Sequence, residues 1–146
     1  PETIALAITA AEMGFLVFAT LHTNSAAKTV DRIIDVFPED QQNQVRTMLS
    51  VTLKGVCAQL LLPAKDGKGR VPVNEILMGS FGLGNIIREG SVSKIISLIE
   101  SGGAEGMKKM DDAILERYKA SEISAETAHL YAMQKQRFEH LLGKAD

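Results

Sequence analysis

The stretch Phe15-Leu16-Val17-Phe18-Ala19-Thr20-Leu21-His22-Thr23-Asn24-Ser25 decides the fold. Phe15 to Leu21 form a short, nearly continuous apolar run behind Gly14, and Thr23, Asn24 and Ser25 follow with side chains suited to a helix N-cap. A run that short and that apolar reads as a strand buried on both faces, as in a parallel sheet. Strand, cap and helix in that order are the βα step of an α/β protein.

Upstream, Glu2 to Met13 is rich in Ala, Ile and Leu with an acid at its start, and Gly14 is a natural stop. It reads as a helix that is apolar over most of its circumference. Downstream, Val30, Ile33, Ile34 and Phe37 keep the spacing of one helical face, with Lys28, Asp31, Arg32 and Asp35 elsewhere on the wheel. Pro38-Glu39-Asp40 opens a further helix with the stripe Val45, Met48, Leu49 and Leu53. Val56–Leu62 and Arg70–Met78 read as strands of a hairpin around the turn Asp66-Gly67-Lys68-Gly69, and Pro72 places the second at an edge.

After Gly79 the pattern turns helical. Phe81 to Glu89 is a Gly-punctuated link into a short helix, and the Gly clusters at Gly79–Gly84 and Gly102–Gly106 read as flexible joints. Ser91 caps a helix with the stripe Val92, Ile95, Ile96 and Ile99. Met107, Met110, Ile114, Leu115 and Tyr118 mark the next, with both methionines in the core. Ser124 opens a last helix that buries Ala128, Tyr131, Phe138 and Leu142. The layout is an α/β front, residues 1–79, and an all-helical back, residues 80–146.

Composition narrows the function. The 146 residues are 45% hydrophobic and 23% charged, which is ordinary for a globular protein and short of a membrane span. A net charge of -2 leaves no polybasic field, so nucleic-acid binding and membrane insertion are not expected. The single cysteine, Cys57, excludes an internal disulfide and a paired-cysteine zinc site, fits a reducing cytosol, and is expected to be buried and inert in its apolar strand. The chain opens Pro1-Glu2-Thr3, without Met, directly into a helical pattern, and we expect it to be a segment of a longer protein.

The chemistry concentrates at Thr20-Leu21-His22-Thr23. In open α/β sheets ligands bind beyond the carboxyl ends of strands, and a helix N-terminus there offers free N–H groups to an anion. A histidine between two hydroxyls at that point can meet a phosphate, or can simply bond to backbone at a strand end. No G-x-x-x-x-G-K-[ST] loop occurs, so no triphosphate is cradled by that route. A hydrolase triad from His22, Ser25 and Asp35 lacks a nucleophile-elbow signature. His129 and His140 stand too far apart on one helix to share a metal. Arg32 and Arg46 are either surface charges or groups that reach across a subunit boundary.

These residues carry a resemblance. ETIALAITAAEMGFLVFATLHTNSAAKTVDRIIDVFP, residues 2–38, resembles the segment after Walker B and the His box of the ATPases of type II secretion and type IV pilus systems. Residues 25–50, SAAKTVDRIIDVFPEDQQNQVRTMLS, are similar to the PilT-type retraction branch, and the likeness continues through RVPVNEILMG and GLGNIIREG. It covers nearly the whole chain and is weaker beyond Gly103. The family's AIRNLIRE-like motif stands here as residues 82–89. Asn85, Arg88 and Glu89 match it, while Gly84 replaces its first Arg and Phe15 stands where the family often has His.

The resemblance implies a partial RecA-like P-loop NTPase core, its C-terminal portion without Walker A, followed by an all-helical C-terminal domain. It implies a homohexameric motor with ATP and Mg²⁺ between subunits, working in the cytoplasm at an inner-membrane pilus platform protein. His22 matches the His-box histidine at the γ-phosphate, with Thr20 and Thr23 beside it, and Glu2 and Thr3 match the end of the Walker B segment. The Walker A lysine, catalytic glutamate and Mg²⁺-facing acid would precede Pro1, so this chain alone is expected to be inactive. The alternatives are a non-catalytic interaction module, a paralogous secretion ATPase, and a small hydrolase using His22 and Ser25.

Overall fold

Helix α1 (Glu2–Glu12) ends as its sequence dictates. Gly14 takes a left-handed backbone, φ 94°. The amides of Gly14 and Phe15 then bond back to the carbonyls of Ala11 and Ala10, each at 3.1 Å, which satisfies carbonyls the helix would leave orphaned. The computed structural model describes residues 2–143. Pro1, from which a longer parent was expected, lies outside the described residues.

The segment after α1 departs from the sequence reading. Phe15 to Leu21 run as irregular chain rather than a strand, with Phe15, Leu16 and Phe18 at 65%, 73% and 88% exposure. A strand exists only where neighbours take up its N–H and C=O groups. The one sheet among the described residues is the antiparallel pair β1 (Gly55–Pro63) and β2 (Arg70–Met78). It offers this segment no ladder.

The hairpin itself follows its sequence. Gln59 pairs with Asn74 and Leu61 with Pro72, and the Asp66 carboxylate accepts the Lys68 N–H at 2.8 Å in the turn. Ala58, Leu62, Val73 and Leu77 are buried on one face. Cys57 is exposed, contrary to expectation. Strand side chains alternate, and one residue before buried Ala58 its thiol falls on the face that no helix covers.

Two apolar cores flank the hairpin. Helices α2 (Ala26–Asp35), α3 (Glu39–Thr52), α4 (Phe81–Arg88) and α5 (Ile95–Ser101) build the first around Val30, Ile34, Leu49, Ile87 and Ile95, with Leu77 from β2. Helices α6 (Met110–Lys119) and α7 (Ala125–Tyr131) and the short α8 (Glu139–Leu142) build the second around Ile114, Ala128 and Phe138, with Leu62 and Val73. Each buried Ile, Leu or Phe contributes about 1.5–3 kcal/mol of transfer free energy. The stripe Val30, Ile33, Ile34 and Phe37 is buried throughout, as its spacing requires.

The helical half differs from the sequence reading in detail. Phe81–Arg88 is helix rather than link, because the Ser80 hydroxyl accepts the Leu83 N–H at 3.1 Å and caps it. A Cβ on Gly84 would lie 2.7 Å from the Ser50 carbonyl oxygen, so that glycine lets α4 close on α3. Gly102 is likewise packed rather than free, against the Met107 side chain. Ile96 is exposed while Val92, Ile95 and Ile99 are buried. The last helix breaks after Tyr131, so His129 and His140 belong to different helices, and Leu141 rather than Leu142 is buried. Both methionines are core, although Met107 precedes α6.

The two cores are joined through β2. Ile76 and Lys108 exchange backbone hydrogen bonds of 2.8 and 3.0 Å. Beside them the Glu75 carboxylate accepts the Ala26 N–H at 2.7 Å through one oxygen and the Met110 N–H at 3.4 Å through the other. Buried Asp111, at the start of α6, accepts the Met133 and Gln134 N–H groups at 2.7 and 2.9 Å. That pair of bonds anchors the segment after α7.

Candidate phosphate-facing groove

His22 lies four residues before α2, exposed, in the connection that leads into the helix. Ser25 caps α2: its hydroxyl accepts the Lys28 N–H at 3.3 Å, and its extended backbone turns the chain into the helix. The cap fixes where His22 leaves the fold.

A groove of about 1180 Å³ runs along this connection. Thr20, His22 and Thr23 line it from the chain preceding α2, and Lys28 and Arg32 line it from α2. Two cations and an imidazole thus stand around one open space. Asp31 and Asp35 lie on the same wall. Burial, and secondarily the charge of Asp35, push the Asp31 carboxyl above its ordinary value of 3.8, with Arg46 opposing them.

The two threonines are not equivalent. Thr29 donates its hydroxyl proton to the Ser25 carbonyl at 2.9 Å. The 2.6 Å contact between the Thr23 and Thr29 hydroxyls must therefore take its proton from Thr23. Thr23 thus has only lone pairs left for the groove. Thr20 is exposed, with its hydroxyl outside that chain of bonds.

Glu2 and Thr3 are exposed at the start of α1 and do not line this groove. Asn85 and Arg88 come together, the Arg88 guanidinium donating to the Asn85 side-chain carbonyl and, at 3.0 Å, to the Ser50 hydroxyl. Glu89 turns away from them and pairs with Lys94 at 3.4 Å. Arg32 opens onto the groove, whereas Arg46 is half-buried with one guanidinium nitrogen enclosed and unpartnered within the described residues. Sequence reasoning passed over Glu75, whose signal is an acid inside the apolar strand Val71–Met78.

Comparison with known proteins places the chain. Residues 1–135 match the family model described as type II/IV secretion system protein. A twitching motility protein of Neisseria gonorrhoeae is 47% identical over 136 residues, 93% of this chain and 36% of that protein. The type IV pilus retractation ATPase PilT of Pseudomonas aeruginosa is 52% identical over 110 residues, 75% of this chain and 32% of its own length. The crystal structure of the pilus retraction motor PilT with bound ADP superposes with a TM-score of 0.82 at 39% identity, covering 95% of this chain and 38% of that one. The chain spans about a third of the length of the curated relatives it matches. Its mixed helices and small sheet are a portion of that α/β ATPase fold with its helical part. The chain belongs to the type II/IV secretion system protein family.

Proposed function

We propose that this chain is the C-terminal part of a hexameric ATPase motor that powers type IV pilus retraction, with His22 contacting the γ-phosphate of ATP. The observation that carries the reading is the exposed His22 imidazole, held by the Ser25-capped start of α2 in an open groove beside Lys28 and Arg32. Lys28 and Arg32 are the cations that would meet a phosphate here, Thr20 adds a hydroxyl, and Asp31 and Asp35 on the same wall offset part of that attraction. Thr23 positions the connection, its proton given to Thr29 rather than to the phosphate. ATP supplies the free energy for motion when bound. This chain's own part is to register whether the terminal phosphate is there.

Among the described residues no group of three His, Cys, Asp or Glu side chains converges as a metal site. In this reading Mg²⁺ is held by the phosphates and by parent residues outside this chain, with Glu2 and Thr3 at the end of that acidic segment. Residues 1–79 are the later part of the ATPase core and 80–146 the helical domain, although the first apolar core draws on both sides of Gly79. Asn85, Arg88 and Glu89 form the motor motif. No helix of the described residues is long and apolar enough to cross a membrane, and the reading places the motor at the cytoplasmic face of an inner-membrane platform protein.

Hydrogen exchange on a full-length protein carrying this chain tests the phosphate contact. A non-hydrolysable ATP analogue should slow exchange across residues 20–26, and ADP should not. Equal protection by both would remove the γ-phosphate from the assignment.

A further inference from the structure

The covalent path from His22 to the second core is long. It runs through α2, α3, both strands, α4 and α5 before reaching α6. The non-covalent path is short. Glu75 holds the first N–H of α2 with one carboxylate oxygen, at 2.7 Å, and the first N–H of α6 with the other, at 3.4 Å. Next to it Ile76 is locked to Lys108 by two backbone hydrogen bonds.

We propose that Glu75 is the positioning residue that couples the His22 connection to the second core, so that phosphate contact at His22 reaches α6 through β2. This rests on the reading of His22 as the phosphate-facing residue.

Three features of the site favour transmission over simple bracing. One carboxylate serves two helix N-termini, where backbone N–H groups lack partners of their own and the dipoles favour a negative charge. A shift of Ala26 must therefore either break a charge-assisted bond or move the acid that also holds Met110. Second, Ala26 lies four residues from His22 and one from the cap Ser25, so displacement of the connection arrives there first. Third, the junction is not filled. A cavity of about 370 Å³ opens beside Glu75, lined by Ser25, Ile95, Ile99, Met110 and Met133. Close-packed interiors resist relative movement, whereas this void leaves the start of α6 room to shift against α2 beside the shared carboxylate. Glu75 does not line the groove at His22, and the cavity shares only Lys28 with it.

Glu75→Gln is the informative variant. It is isosteric, and its amide nitrogen donates where a carboxylate oxygen accepted, so one of the two backbone N–H groups loses its acceptor. In a full-length protein, a non-hydrolysable ATP analogue should slow amide exchange at Lys108 and Met110 by about fivefold or more, the low end of coupling between distant sites. In the Glu75→Gln protein the analogue should still slow exchange across residues 20–26 but leave Lys108 and Met110 as they are without nucleotide. An equal response of Met110 in both proteins would overturn the coupling role. So would the absence of any nucleotide response at Lys108 and Met110 in the unsubstituted protein, a measurement that needs no variant to fold. The turnover of a His22→Ala protein separates the two readings. If turnover is unchanged there, the phosphate contact is wrong whatever Glu75 does. If it collapses while Met110 answers nucleotide without Glu75, only the coupling is wrong.

Discussion

The guanidinium of Arg88 donates to the hydroxyl of Ser50 at 3.0 Å, binding the C-terminal turn of α4 to the last turns of α3. Arg88 also donates to Asn85 one turn earlier, so two of the three motif residues serve one another. Because Arg88 is exposed, the bond is worth little to folding. Arg88→Ala should lower stability by no more than about 1.5 kcal/mol, the range for a solvent-accessible hydrogen bond. Urea denaturation of the chain measures it, and a loss of about 3 kcal/mol or more would mean that Arg88 holds the two helices together by some further contact.

Gly84 makes the opposite prediction. A side chain there meets the Ser50 carbonyl oxygen at 2.7 Å, a backbone atom that cannot swing aside. Gly84→Ala should therefore cost about 1–3 kcal/mol despite the better helix propensity of alanine. A neutral or stabilising result in the same denaturation assay would show that α3 and α4 part easily.

Asp31 sets a pH dependence. Its carboxyl is raised from 3.8 by burial and then by Asp35, so the folded chain binds that proton more tightly than the unfolded chain does. Its contribution to stability is then greatest below the unfolded value and falls as pH rises through the raised folded value. Asp31→Asn should make the chain more stable at pH 7, with the advantage shrinking toward pH 3.8. Thermal unfolding across that range reads it, and an advantage that grows on acidification would contradict the sign.

The exposed run after α1 predicts association. Phe15, Leu16 and Phe18 are exposed, as are Leu6 of α1 and Met13 just after it, and exposed apolar side chains of that kind drive contact between molecules. Sedimentation of the isolated chain should show self-association that Leu16→Ser and Phe18→Ser together reduce. A monomer at every concentration would argue for the stand-alone interaction module instead.

Most of the fold was legible because its signals are local. The 3.6-residue stripe of α2, the hairpin turn at Asp66–Gly69 and the Gly14 stop each act over a few residues, and the structure follows all three. Phe15–Leu21 failed for the converse reason. Its apolar run specifies a strand only when other strands lie beside it, and the described residues supply none. Cys57 failed on a parity that composition does not carry: in a strand, one residue's difference selects the face. At the site, His22 and its neighbours could be picked out because chemistry-bearing side chains stand together in sequence. Glu75 is marked only as an acid inside an apolar strand, and its role is hidden because its partners Ala26 and Met110 lie 49 and 35 residues away and offer only backbone N–H groups.

The central claim is that His22 reads the terminal phosphate, and ATP turnover by a full-length protein with His22→Ala tests it most directly. Loss of a polar contact made to charge developing in the transition state costs about 10²–10³ in kcat. The account predicts a fall of that order with thermal stability unchanged, since an exposed His22 contributes little to the fold. Turnover within about twofold of the parent would contradict it, twofold being under 0.5 kcal/mol in the barrier.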